Sequence, residues 1–279
     1  MTGLASQSDW KAEVWMQLAT VVDPELDESI VDLGFVKGVE LHEGDVVHIA
    51  FRLPTYWCAA NFSFLMADDI RKAVGGLPWV RSVVVTLDEH MYGDQINAGL
   101  AKGLSFQETF GAEADGDLEE LRRTFLVKAF QRRQMALLSH MTSVGYSTDR
   151  LVGLSLAELR ALPLDESGKA LVARYLERRD VVGRAHSGAL AFVTSEGRAL
   201  KAETYFGYLS GLRTVGLNAE FNSMICRGLL AGRDREVEAG RMKQAAGHGA
   251  ATTCGTCGGG CGVRADASSA KNAHAGQVG

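Results

Sequence analysis

The hydrophobic period of this chain changes once, near residue 95, and that change limits what it can fold into. Upstream, helical and alternating stretches are mixed. In "DWKAEVWMQLATVV" Trp10, Val14, Leu18 and Val21 share one helical face, with Asp9 as a cap. "FVKGVEL" and "VVHIAFRL" then alternate, the second putting Val47, Ile49, Phe51 and Leu53 on one face, and "HEGD" between them reads as a turn. The two are expected to form a hairpin. Helical spacing returns after Cys58, with Phe62, Leu65, Ile70 and Val74 on a stripe and Asp68 four residues before Lys72. "GGLP" stops that helix and "VRSVVVTL" is a third strand. The expected order is helix, strand, strand, helix, strand, a small α/β sandwich.

Downstream the period is predominantly helical. "DLEELRRTFLVKAFQRRQMALLSHM" is a long amphipathic helix, "SLAE" (Ser155 to Glu158) is a capping box, "ESGKALVARYLERR" is another helix, and residues 217–240 read as helical again. "ALAFVTSEGRALKAE" is compatible with a hairpin around "SEG". "YFGYLSGL" (Tyr205 to Leu212), Met224 and Cys226 have helical spacing and are expected to pack the second core. After Ala246 the sequence is too poor in large apolar side chains to bury a core, so disorder is expected there. The predicted class is therefore α+β: an α/β domain over 9–92, a linker over 93–116, a mainly helical domain over 117–240 and a flexible Cys-rich tail over 247–279.

Charge and cysteine usage narrow the function classes. A net charge of -5 over 279 residues, with no basic stripe, argues against a nucleic-acid partner, and the basic run Arg122 to Arg133 reads as a solvated helix face. No apolar run approaches the roughly 18 uncharged residues of a membrane span, and "MTGLASQSDWKAE" lacks the basic start and apolar stretch of a secretory signal, so a cytoplasmic location is expected. Five cysteines, two isolated and three crowded near the C-terminus, form no disulfide framework; they read as metal or redox ligands, or as plain core.

Cys58 lies between the end of an alternating run and the start of a helical one. A thiol there faces unpaired backbone N–H groups and the positive end of the helix dipole, which favour the thiolate that binds soft metals or attacks electrophiles. The alternative is a small buried hydrophobe. Upstream, "VVDPELDESIVDLGFV" carries Asp23, Glu25, Asp27, Glu28 and Asp32 without strong periodicity, as a loop leading into a strand does. Asp23 before Pro24 reads first as a turn initiator. His90, beside Asp88 and Glu89, reads as a surface group at a strand end rather than a ligand. In the tail, Cys254, Cys257 and Cys261 follow a C-x2-C-x3-C spacing on a glycine-rich backbone that can wrap an ion or cluster but lacks one ligand; His248, Cys226, Cys58 or a partner would supply it. A CxxC redox pair is the other reading. No nucleophile elbow, P-loop, Rossmann glycine triplet or HExxH occurs.

The stretch "DPELDESIVDLGFVKGVELHEGDVVHIAF", followed by a single cysteine at a strand-to-helix corner and by "GGLPWVRSVVVTL", resembles the PaaD-like and SufT-like iron-sulfur cluster assembly factor domain over roughly residues 9–92. The family pattern falls on Asp23, Pro24, Glu25, Asp32, Gly34 and Cys58, with Thr55 at the small hydroxyl position before the cysteine. Members usually carry a proline after the cysteine and a Gly or Pro before it, where this chain has Ala59 and Trp57; the departures imply a loop reshaped for a different client, or a site that keeps only a binding role. The resemblance implies an assembly or maturation factor rather than an enzyme. Cys58 would be a transient ligand of iron or an iron-sulfur cluster, supported by Asp23, Glu25, Asp32 and Thr55, with the tail cysteines assisting and zinc an alternative there. The resemblance implies a client apo-metalloenzyme as partner, with a multicomponent oxygenase as the expected client class. The competing readings are a thiol-dependent redox protein whose tail resolves oxidised Cys58, and a metal-free interaction module for a partner enzyme.

Overall fold

The computed structural model describes residues 7–114 and 116–248. Helix α1 (Gln7–Leu18) buries Val14 and Leu18, and Trp10 stacks on Trp79 with ring centroids 5.2 Å apart. Because the helix starts at Gln7, Asp9 sits in its first turn rather than at the cap. β1 (Val22–Asp23) and β2 (Glu28–Ser29) then pair antiparallel across the acidic turn. Although that stretch has no clear period, Leu26, Ile30, Leu33 and Phe35 anchor it in the core. Gly34, at φ +73°, turns the chain into the next strand, a conformation that side chains with a β-carbon disfavour.

β3 (Val36–His42) and β4 (Val46–Arg52) form the expected antiparallel hairpin, with Val39 opposite Ile49. Val47, Ile49, Phe51 and Leu53 alternate inward from the central strand and are each at most 1% exposed. Helix α2 (Ala60–Gly75) crosses to β5 (Ser82–Asp88), which lies parallel to β4 and gives the order β3-β4-β5. Parallel neighbours need such a crossover, whereas the β3–β4 pair needs only a turn. Leu65, Ile70 and Val74 face the core, and Lys72 bridges Asp68 at 2.6 Å one turn away. The predicted helix-strand-strand-helix-strand order is thus present, with a ribbon of two two-residue strands inserted between α1 and β3.

Residues 93–116, read as a linker, carry two short helices, α3 (Gly93–Ala101) and α4 (Phe106–Phe110). Ile96, Leu100, Phe106 and Phe110 are buried in the same core as the sheet, so this stretch is packed structure rather than a bare connection. Helices of nine and five residues are too short to register as a period in the sequence.

The helical region follows with α5 (Leu118–Ser143), α6 (Thr148–Gly153), α7 (Leu156–Ala161), α8 (Glu166–Arg179) and α9 (Tyr205–His248). The Ser155/Glu158 capping box starts α7 as read. Around "SEG" only an isolated antiparallel bridge forms, Val193 to Ala199. A second core gathers Phe130, Leu137, Met141, Tyr175, Phe192 and Tyr205. The fold is α+β, a small helix-and-sheet region followed by a mainly helical one.

Helix α9 departs from expectation in its later half. Tyr205, Leu209 and Leu212 do pack the second core, but Met224 is 73% exposed, and Cys226 and Leu230 pack against the first core. Both cores lie in one compact unit that ends at Arg235; from Glu236 the described chain continues helical to His248. The tail cysteines Cys254, Cys257 and Cys261 lie outside the described residues. Among the described residues no helix is long and apolar enough to cross a membrane.

Candidate functional site

Cys58 sits between the end of β4 and the start of α2, two residues before Ala60 opens the helix; Ala59 is the cap residue and makes no side-chain cap bond. The thiol is half-buried, and its Sγ lies 3.0 Å from Thr55 Oγ1. Tyr56 and Trp57, just before it, are 53% and 71% exposed. The next loop is tied here as well, since the Met91 N–H donates to the Tyr56 carbonyl at 2.9 Å.

His90 holds this corner from behind. It is 7% exposed, which corrects its reading as a surface group. The Tyr92 N–H donates to Nδ1 at 3.1 Å, which leaves the ring proton on Nε2. Nε2 in turn donates to the Cys58 carbonyl at 3.0 Å and lies 3.1 Å from the buried Ser63 Oγ, whose hydroxyl donates to the Ala59 carbonyl. Burial pushes His90 below its ordinary range, Arg233 adds to the shift, and the bond to Cys58 opposes it, so the neutral ring is the state at pH 7. The residues on both sides of the cysteine–helix junction are therefore fixed by one imidazole.

The acidic loop combines the buried Asp27 with the partly buried Asp23, Glu25 and Glu28 and the exposed Asp32. Asp23 Oδ1 accepts from the Glu25 and Leu26 N–H groups at 2.9 and 2.8 Å, the turn that Asp before Pro predicts. Burial drives its carboxyl up to about 6 against the lowering effect of those two bonds. Asp27, in the left-handed region at φ 52°, takes Arg133 at 2.6 and 3.0 Å and Arg178 at 3.0 Å. Arg132 donates to the Glu25 carbonyl at 2.6 Å. The basic run Arg122 to Arg133 is thus not a solvated face: Arg122 pairs with Asp69, and Arg132 and Arg133 reach the acidic loop. Partners 53 to 107 positions away leave no local pattern to read. Asp32 is exposed and lines a cleft of about 730 Å³ with Arg132 and Arg133, a cleft whose lining does not include Cys58.

The α9 segment from Asn222 to Arg233 lies across the same region. Asn222 donates to Glu25 at 2.8 Å, Ser223 donates to Glu28 at 3.0 Å, and Arg227 pairs with Glu28 and reaches the Asp32 carbonyl. Farther along, Arg233 donates to the Leu53 carbonyl at 2.8 Å and pairs with Glu89. Between these anchors the Cys226 thiol is pushed up to about 11, first by burial and then by Asp23, Cys58 and Glu25.

The structure therefore brings Thr55 against Cys58, places Asp23 and Glu25 in the loop that α9 meets at Asn222, and sets Asp32 on a separate cleft. Ser63 is the contributor that sequence reasoning missed, whereas His90 was read as a surface group and Cys226 as a second-core residue or a ligand for the tail. Among the described residues no group of three or more His, Cys, Asp or Glu is disposed to hold a metal ion.

The sequence pattern of the family described as "Iron-sulfur cluster assembly protein" matches residues 11–87. Among characterised proteins, the chain is 35% identical over 75 residues to the Fe-S protein maturation auxiliary factor YitW of Bacillus subtilis, covering 27% of this chain and 72% of that protein. It is 30% identical over 105 residues to the chloroplastic Fe-S cluster assembly factor HCF101 of Oryza sativa, covering 36% of this chain and 20% of that one. It is 32% identical over 81 residues to the iron-sulfur cluster carrier protein of Mycobacterium leprae, covering 29% and 21% respectively. The chain thus spans only about a fifth of the rice and mycobacterial relatives.

Proposed function

Since the chain belongs to the iron-sulfur cluster assembly protein family through residues 11–87, we propose that it is a non-catalytic factor that holds iron or an iron-sulfur cluster at Cys58 and passes it to a client apo-metalloenzyme. The observation that carries this reading is the placement of Cys58, the one thiol within the matched segment, half-buried against Thr55 at an exposed, aromatic-flanked corner. A thiolate there is a soft ligand with open coordination around it, as a ligand that must release its cargo requires.

Asp23, Glu25 and Thr55 support the site by fixing the loop beside it, and Asp32 serves the neighbouring cleft. The helical region recognises the client; its support is the exposed stripe Leu217, Phe221, Met224, Ile225 and Leu229, spaced as one helical face. The tail thiols Cys254, Cys257 and Cys261 capture iron or zinc once a fourth ligand joins them. A multicomponent oxygenase remains the proposed client class. In the test, the reconstituted protein is mixed anaerobically with an apo-ferredoxin and a chelator, and the acceptor's spectrum is followed. Transfer is expected from the native chain and not from Cys58→Ser; equal transfer by both would overturn the role of Cys58.

A further inference from the structure

The corner that carries Cys58 exposes three large apolar side chains, Tyr56 at 53%, Trp57 at 71% and Met91 at 48%. Two loops supply them, one before α2 and one after β5, and the Met91 N–H joins the two by donating to the Tyr56 carbonyl at 2.9 Å. The backbone on either side of the indole is held as well. Arg233 donates to the Leu53 carbonyl at 2.8 Å, His90 donates to the Cys58 carbonyl at 3.0 Å, and Thr55 Oγ1 lies 3.0 Å from the Cys58 sulfur. The charged groups nearest along the second loop are the partly buried Asp88, Glu89, which Arg52 and Arg233 hold, and the exposed Asp94 in the first turn of α3. A single exposed apolar residue is ordinary surface, whereas Trp, Tyr and Met gathered on one fixed corner have the composition of an interface centre.

What covers this corner follows from the transfer itself. An acceptor ligand that takes a metal from Cys58 must for a moment bind the same ion, and two thiolates each about 2.3 Å from one ion lie within about 4.6 Å of each other. A protein surface that close to Cys58 also meets the residue before it, whose Cα is about 3.8 Å away. We propose that Tyr56, Trp57 and Met91 form the surface on which the acceptor apoprotein docks, with Trp57 as the specificity anchor that enters an apolar recess beside the acceptor's open cysteine ligands. This rests on the reading of Cys58 as the cargo ligand and adds, to recognition by the helical region, a contact made at the ligand itself. Because both loops are hydrogen-bonded in place, little freedom is lost on docking. In the exchange an acceptor thiol loses its proton as it binds the metal, and the Cys58 thiolate gains one as it leaves, with no change of oxidation state.

The test uses the full-length chain, reconstituted anaerobically with ferrous iron and sulfide, and two recipients: an apo-ferredoxin, and the iron chelator ferrozine, which is too small to need a docking surface. Trp57→Ala should load like the native chain and release iron to ferrozine at the native rate, while its transfer to the apo-ferredoxin at limiting acceptor falls roughly tenfold or more. The loss should appear as a higher half-saturating acceptor concentration. Trp57→Phe should recover part of it, and Met91→Ala, on the other loop, should weaken transfer in the same direction. An unchanged rate to the apo-ferredoxin in Trp57→Ala would overturn the proposal. Equal slowing toward both recipients would also overturn it, because the indole would then act on the metal site rather than on the acceptor. If Trp57→Ala changes only the sedimentation coefficient, the patch joins two copies of this chain and the docking surface is overturned. Equal transfer by the native chain and Cys58→Ser would remove the Cys58 reading and the docking surface with it, an outcome separate from any effect of Trp57.

Discussion

Replacing Asp27 by Asn tests whether the helical region and the family domain are stabilised as one body. Asn tolerates the left-handed backbone that Asp27 occupies, so the change removes charge without straining the turn. The side chains concerned are buried, at 5% exposure for Asp27, 8% for Arg133 and 17% for Arg178. Removing one partner of a buried pair costs about 3–5 kcal/mol, because the remaining charge is left without compensation. Arg133 keeps Glu177 at 2.6 Å and the Arg174 carbonyl, so we expect the lower end, about 3 kcal/mol. With a urea slope of about 3 kcal/mol/M for a chain of this size, the midpoint should fall by about 1 M. Trp15 and Trp79 pack against the family-domain core and Trp10 stacks on Trp79, so tryptophan fluorescence reports that core beside the exposed Trp57, whereas far-UV circular dichroism reports mainly the helices. The two signals should coincide in the native chain and separate in Asp27→Asn. Adding Arg133→Met should recover part of the loss, since the uncompensated charge is then gone. A midpoint shift below about 0.3 M, corresponding to under about 1 kcal/mol, would refute the reasoning.

Four further outcomes follow from the same geometry. Asp23 is raised from 3.8 to about 6, so its favourable contribution is complete below pH 3.8 and lost as pH rises through about 6; Asp23→Asn should therefore gain stability relative to the native chain between pH 4 and pH 7, and a flat difference across that range would contradict it. Cys226, pushed up to about 11, should alkylate slowly at pH 7.5 and faster as pH climbs, so rapid labelling at neutral pH would count against its burial beside Asp23 and Cys58. His90→Leu should cost about 1–3 kcal/mol by stranding the Cys58 carbonyl, and should speed labelling of Cys58; unchanged stability and labelling would remove its positioning role. With a boundary after the family domain, limited proteolysis should cut first between Gly111 and Asp117, where Gly111, Ala112, Gly116 and Asp117 are exposed; first cuts inside α2 or α5 would refute that boundary.

What was legible in the sequence was local. The alternation of Val47, Ile49, Phe51 and Leu53 and the stripe of Leu65, Ile70 and Val74 gave the sheet and its crossover helix, because burial on one face imposes the period directly. The Ser155/Glu158 box and the Asp23 turn were legible because each is closed within three residues. The long-range pairings were not. Nothing around Arg133 announces Asp27, and nothing around Cys226 announces Cys58, since helix spacing fixes which residues share a face but not which body that face meets. His90 was misread for the same reason: its burial comes from Ser63 and the Cys58 carbonyl, both about thirty positions upstream.

The most direct measurement is of what Cys58 holds. Full-length native protein and Cys58→Ser should be reconstituted anaerobically with ferrous iron and sulfide, desalted, and compared for bound iron and sulfide and for their visible absorption, with circular dichroism to verify the fold. The native chain should retain a chromophore with iron and sulfide in matching amounts, and the folded Cys58→Ser protein should lose most of both. A folded Cys58→Ser protein with the native content and spectrum would contradict the assignment of Cys58 as the cargo ligand.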